Sequence, residues 1–67
     1  MSIDKPEQYE GKRIKVFFCD GTAPISGDYL GYTPAYDDPD ERASISVDGD
    51  MSYELYEDEI ERIEILG

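Results

Sequence analysis

The side chains able to do chemistry in this sequence are mostly carboxylates: seventeen Asp and Glu stand against six Lys and Arg, with no histidine. The candidate nucleophiles are one cysteine, Cys19, and serines such as Ser26, Ser44, Ser46 and Ser52. A thiol or hydroxyl needs a neighbouring base to become reactive, and no imidazole exists to supply one. Cys19, at the end of an apolar run, therefore reads as a small half-buried hydrophobe. In a chain this acidic, carboxylate pairs fall at general acid/base separations by chance, so their presence selects no hydrolytic chemistry. The expectation is a protein without catalytic residues, metal or cofactor.

Two other groups of side chains could bind. Asp37, Asp38, Asp40 and Glu41 crowd one loop with the hard oxygen atoms that Ca²⁺ prefers, but Asp37-Asp38-Pro39-Asp40-Glu41 lacks the spacing and glycine turn of a calcium loop. They are expected to be solvated loop acids. Tyr32-Thr33-Pro34-Ala35-Tyr36 and Tyr56 offer large apolar rings with polar tips. An aromatic shelf of Tyr32, Tyr36 and Tyr56, ringed by Asp37 and Asp38, would suit a basic or proline-containing peptide. The cluster Lys12, Arg13, Lys15 is expected to work internally, with Arg13 and Lys15 facing Glu61 or Glu64 across neighbouring first and last strands.

The elements that would hold these residues follow from periodicity. Asp4 to Glu10 has the signature of a short helix, with Asp4 as N-cap, Pro6 in the first turn and Gly11 as stop. Tyr9 is its apolar anchor. Arg13 to Cys19 alternates as a strand, with Ile14, Val16 and Phe18 on one face, and Asp20-Gly21 turns the chain. A second strand from about Ile25 to Tyr32 carries Gly27 and Gly31, which mark bending or close backbone approach. After the loop Thr33 to Arg42, Ala43 to Val47 and Met51 to Tyr56 form a hairpin about Asp48-Gly49-Asp50. Met51, Tyr53 and Leu55 are expected to face inward and Tyr56 outward. Glu57-Asp58-Glu59 is a turn, 3₁₀ in type. Ile60 to Leu66 is the last strand, its β-branched Ile-Glu-Ile-Leu end favouring strand over a rival helix from Tyr53 to Leu66. Ile63 and Ile65 are assigned to opposite faces. The expected core is Ile14, Val16, Phe18, Leu30, Ile45, Val47, Leu55, Ile60 and one of Ile63 and Ile65.

This series resembles the small barrel shared by Sm-like and Src-homology-type domains, the Sm-like family being nearer. Gly11-Lys12-Arg13-Ile14-Lys15-Val16 is similar to the family's opening Gly-Lys-x-Val-x-Val, Asp20-Gly21 to its Asp-Gly turn, and Gly27-Asp28-Tyr29-Leu30-Gly31-Tyr32 to its Gly-x-Leu-x-x-aromatic strand. Glu57-Asp58-Glu59-Ile60 with Ile63-Glu64 resembles the acidic close of short uncharacterised bacterial Sm-like proteins. The resemblance implies one all-β domain over residues 1–67: a five-stranded antiparallel barrel with a short N-terminal helix. It does not extend to the RNA-binding residues. Thr33 stands where the family has aspartate, the chain holds no asparagine, and acids replace the basic pair in the turn before the last strand.

Size and charge bound the function. Sixty-seven residues make one domain. A lone thiol fits a reducing, cytoplasmic setting, and no apolar run or signal-like start suggests a membrane. The net charge of −11 repels phosphate and attracts cations. The leading expectation is a noncatalytic interaction module that binds a basic protein or peptide, or joins copies of itself through strand edges. The alternatives are an acidic mimic of nucleic acid that occupies a cationic groove, and a degenerate Sm-like RNA binder.

Overall fold

A computed structural model describes residues 2–37, 39 and 41–67. Period-two patterning makes five strands: β1 (Arg13–Phe18), β2 (Ile25–Thr33), β3 (Ser44–Asp48), β4 (Ser52–Tyr56) and β5 (Ile60–Ile65). They form one antiparallel sheet in the order β4-β3-β2-β1-β5. The first and last strands are neighbours, as expected, and Tyr53 to Leu66 is not a helix.

The sheet does not close into the expected barrel. Among the described residues no ladder joins β4 to β5, which remain its two edges. A 3₁₀ turn, Glu57–Glu59, links them and is bonded to residues flanking β3 and β1. The Glu57 N–H donates to the Ala43 carbonyl at 2.9 Å, and the Cys19 N–H donates to the Glu59 carbonyl at 3.0 Å.

The expected N-terminal helix is likewise only a 3₁₀ turn, Pro6–Tyr9, and Asp4 does not cap it. The residue before it is Lys5, in the left-handed region at φ 57°, and Gly11 follows at φ 73°. So few residues between two reversals form no stable α-helix. The turn nevertheless seats Tyr9 in the core against Tyr29, ring centroids 5.7 Å apart. The segment before it also packs: Ile3 is buried, and its N–H donates to Glu57 Oε2 at 2.8 Å.

Ile14, Val16, Ile45, Val47, Leu55 and Ile60 are buried as expected, while Phe18 packs on them only partly buried. Leu30 is not in the core; it is 60% exposed. The register explains why. Tyr29 opposes Val47 and Gly31 opposes Ser46, so Leu30 is the extra residue of a β-bulge. The bulge shifts the alternation so that Tyr29 and Tyr32 both face inward, where a regular strand would have separated them.

Met51, expected inward, is 64% exposed. The register Asp48↔Ser52 leaves it in the hairpin turn, outside β4. Ile63 and Ile65 do not lie on opposite faces: they oppose the inward residues Val16 and Ile14. Being two apart, they share one face. Ile63 packs on the core, whereas Ile65 at the strand end is 48% exposed. Gly27 earns its place by close approach, because a Cβ there would lie 2.5 Å from the Asp48 carbonyl oxygen.

Candidate functional site

The rows of the sheet decide which expected site residues can act together. Tyr32 opposes Ile45, and Ile45 opposes Leu55, so Tyr32 belongs to the inward row and is partly buried. Thr33 opposes Ser44, and Ser44 opposes Tyr56, so Tyr56 lies in the adjacent row on the other face. Tyr32 and Tyr56 therefore do not form a continuous shelf. Tyr36 follows β2 in the chain. It sits in a 3₁₀ turn, Ala35–Asp37, with its ring 85% exposed. Burial, then the Glu57 carboxylate, then Tyr36 push the Tyr32 hydroxyl above its ordinary range. Asp37 is exposed in the same turn. Asp38, the remaining expected site residue, lies outside the described residues.

Tyr56 has a different partner. The Arg42 guanidinium lies 3.9 Å from its ring centroid. Arg42 Nε and Nη2 donate to Asp58 Oδ2 and Oδ1 at 3.2 and 2.9 Å, and Nη2 lies 3.6 Å from Glu59 Oε1. This two-point hydrogen bonding holds the Asp58 carboxyl below the usual carboxylate range and pushes the guanidinium up. A pocket of about 150 Å³ opens beside it, lined by Ala35, Glu41, Arg42, Ala43, Glu57 and Asp58. Ligand pockets that enclose a small molecule are typically about 300–1,000 Å³. This one has room for the tip of a side chain.

The charge at this end of the molecule is one-sided. Asp37, Glu41, Glu57, Asp58 and Glu59 lie in or beside the two turns, Glu54 lies on β4, and Arg42 shares the pocket with Glu41, Glu57 and Asp58. Four of the six bases, Lys12, Arg13, Lys15 and Arg62, lie instead on or beside β1 and β5. There Lys15 opposes Glu64, as expected, whereas Arg13 approaches Asp28 of β2 at 4.0 Å. Arg62, bonded to Glu64, covers the Phe17 ring with its guanidinium 3.8 Å from the centroid, and Lys15 Nζ lies 5.3 Å away.

Among the described residues no group of three His, Cys, Asp or Glu is placed to hold a metal. Cys19 is exposed. Sequence reasoning missed the roles of Arg42 and Glu57. The signal for Arg42 was its position as the lone base between acidic segments. Nothing in local sequence pointed to the bond from Ile3 to Glu57. No known family, curated protein or solved structure matches the chain.

Proposed function

We propose that this domain is a noncatalytic interaction module that binds a cationic protein segment at its acidic end, on a strand plan related to the Sm-like small barrel. The observation that carries this reading is the segregation of charge. The turns Ala35–Asp37 and Glu57–Glu59 and strand β4 carry acids, Tyr36 is exposed in the first of these turns, and most bases sit on the β1–β5 side. Such a field raises the encounter rate with cations and penalises anionic partners. The ring provides apolar contact that a field alone does not.

The test is a titration of isotope-labelled protein with lysine-rich peptides at several salt concentrations. Amides of residues 35–37 and 52–59 are expected to shift, with affinity falling as salt rises. Tyr36→Ala is expected to speed dissociation, and Asp37→Lys to slow association and flatten its salt dependence. Absence of binding at low salt defeats the reading. Self-assembly is the second reading, supported by two strand edges that no ladder joins among the described residues. It predicts a salt-insensitive oligomer on sedimentation and indifference to cationic peptides.

A further inference from the structure

The sheet has two edges, and they are not equivalent. Edge strands invite pairing unless they are shortened, bulged, or guarded by lysine or proline. β5 is guarded: its ladder with β1 is broken by a bulge, since Phe17 opposes Arg62 while Phe18 opposes Ile60. It also carries Glu61, Arg62 and Glu64 in a short span. β4, Ser-Tyr-Glu-Leu-Tyr, pairs with β3 in unbroken register and contains no lysine, proline or bulge.

The hydrogen-bond phase of β4 follows from two anchors. The Gly49 N–H donates to the Met51 carbonyl at 2.9 Å, and the Glu57 N–H to the Ala43 carbonyl at the same distance. In an antiparallel ladder, opposed pairs alternate between exchanging bonds and turning their polar groups outward. With Ala43–Glu57 and Gly49–Met51 as bonded pairs, Ile45–Leu55 and Val47–Tyr53 are bonded too. The N–H and C=O groups of Ser52 and Glu54 then point away from β3, toward the open side.

We infer that β4 is a docking edge that accepts an extended, lysine- or arginine-bearing segment of a partner as a sixth, antiparallel strand. The inference rests on the cationic-ligand reading above and adds the mode of binding. Residues of the added strand that exchange bonds with Ser52 and Glu54 lie directly opposite them, with side chains on the same face. That face presents the Glu54 carboxylate, so cationic residues belong at these positions. The alternate residues fall beside Tyr53 and Leu55 on the inward face and should be apolar. Charge complementarity thus selects both the occupant and its register.

The experiment uses three forms of a peptide of alternating lysine and valine: unmodified, N-methylated on the lysines, and N-methylated on the valines. Methylation of the lysine amides removes the bonds to the edge and is expected to weaken binding by about tenfold or more. Methylation of the valine amides should leave affinity within about twofold, because those groups face solvent. On the protein side, Glu54→Gln removes the charge and keeps the donor, while Glu54→Pro removes both without breaking a bond to β3. The proline variant should bind about fivefold or more weaker than the glutamine variant. Should it fail to fold, the methylated peptides decide alone. Equal affinity for all three peptides overturns the docking edge and leaves the cationic-ligand reading intact. Failure of all three peptides to bind overturns both. Protection of the β4 amides in an oligomer without peptide assigns the edge to a second copy and also overturns the inference.

Discussion

Replacing Gly27 by alanine tests the packing that holds the β3–β4 hairpin turn against β2. A Cβ at this position would lie 2.5 Å from the Asp48 carbonyl oxygen, 2.7 Å from its carbon and 2.8 Å from the Gly49 nitrogen. All three are main-chain atoms, so no flexible side chain can yield and the two strands must move apart. Forced overpacking of this kind costs about 1–3 kcal/mol. Alanine reduces the entropy of the unfolded chain, which offsets about 0.4–1 kcal/mol. The net loss is therefore about 1–2 kcal/mol, a large share of the roughly 3–10 kcal/mol expected for a domain of this length. For so small a domain this lowers the melting temperature by roughly 4–15 °C. Gly31→Ala is the internal control: nothing lies within 4 Å of its added Cβ. That variant should match or exceed the parent by up to about 1 kcal/mol. Urea unfolding of the three proteins checks the order. A Gly27→Ala protein as stable as the parent would refute the close approach.

The bulge at Leu30 implies that Leu30→Ser changes stability by no more than about 0.5 kcal/mol, whereas Ile45→Ala, at a fully buried site, costs about 2–5 kcal/mol; denaturant titration separates the two. Burial raises the hydroxyls of Tyr9 and Tyr29 above their ordinary range, with Glu10 and Glu7 adding to the effect at Tyr29. The folded state thus favours the neutral phenols: their contribution is complete below about pH 10 and is lost as pH rises through the raised values. Ultraviolet titration should show late-ionising tyrosines whose deprotonation coincides with unfolding, and early ionisation of every tyrosine would contradict this. For Asp58 the sign is opposite, because Arg42 depresses its carboxyl: its contribution is present above about pH 4 and is lost as pH falls through the lowered value. The Tyr56 ring resonances should follow that titration by NMR, and Arg42→Ala should return the Asp58 midpoint to the ordinary range.

The strands were legible because Ile14 and Val16, and Ile45 and Val47, repeat at the two-residue spacing that a one-sided sheet requires. The Asp20-Gly21 turn was also legible: Gly21 has φ 82°, and the Thr22 N–H donates to Asp20 Oδ1 at 3.0 Å. What misled was an irregularity that alternation cannot represent. One extra residue at Leu30 moved Tyr29 and Tyr32 to the same side, and the width of the 48–52 turn removed Met51 from its strand. The shelf of Tyr32, Tyr36 and Tyr56 failed for a related reason. Proximity in sequence and shared chemistry placed them together, whereas the register put Tyr32 and Tyr56 on opposite faces. Ile3 and Ser44, both buried, depend on contacts between distant parts of the chain, which no local pattern encodes.

The placement of β1 between β2 and β5 also sets the order in which a nascent chain can mature. Ile14 opposes Ile65, and Ile3 bonds to Glu57 across 54 positions of sequence. Until residue 65 has left the ribosome, one side of β1 stays open and the Ile14–Val16 face lacks part of its cover. The hairpin of β3 and β4 can form early from neighbouring residues, but the domain cannot complete its core strand by strand as it emerges. Closing such a long loop before its contacts repay the entropy is slow compared with helical folds of equal size. During synthesis the segment most exposed to wrong pairing is therefore β1, which in the finished molecule is held on both sides.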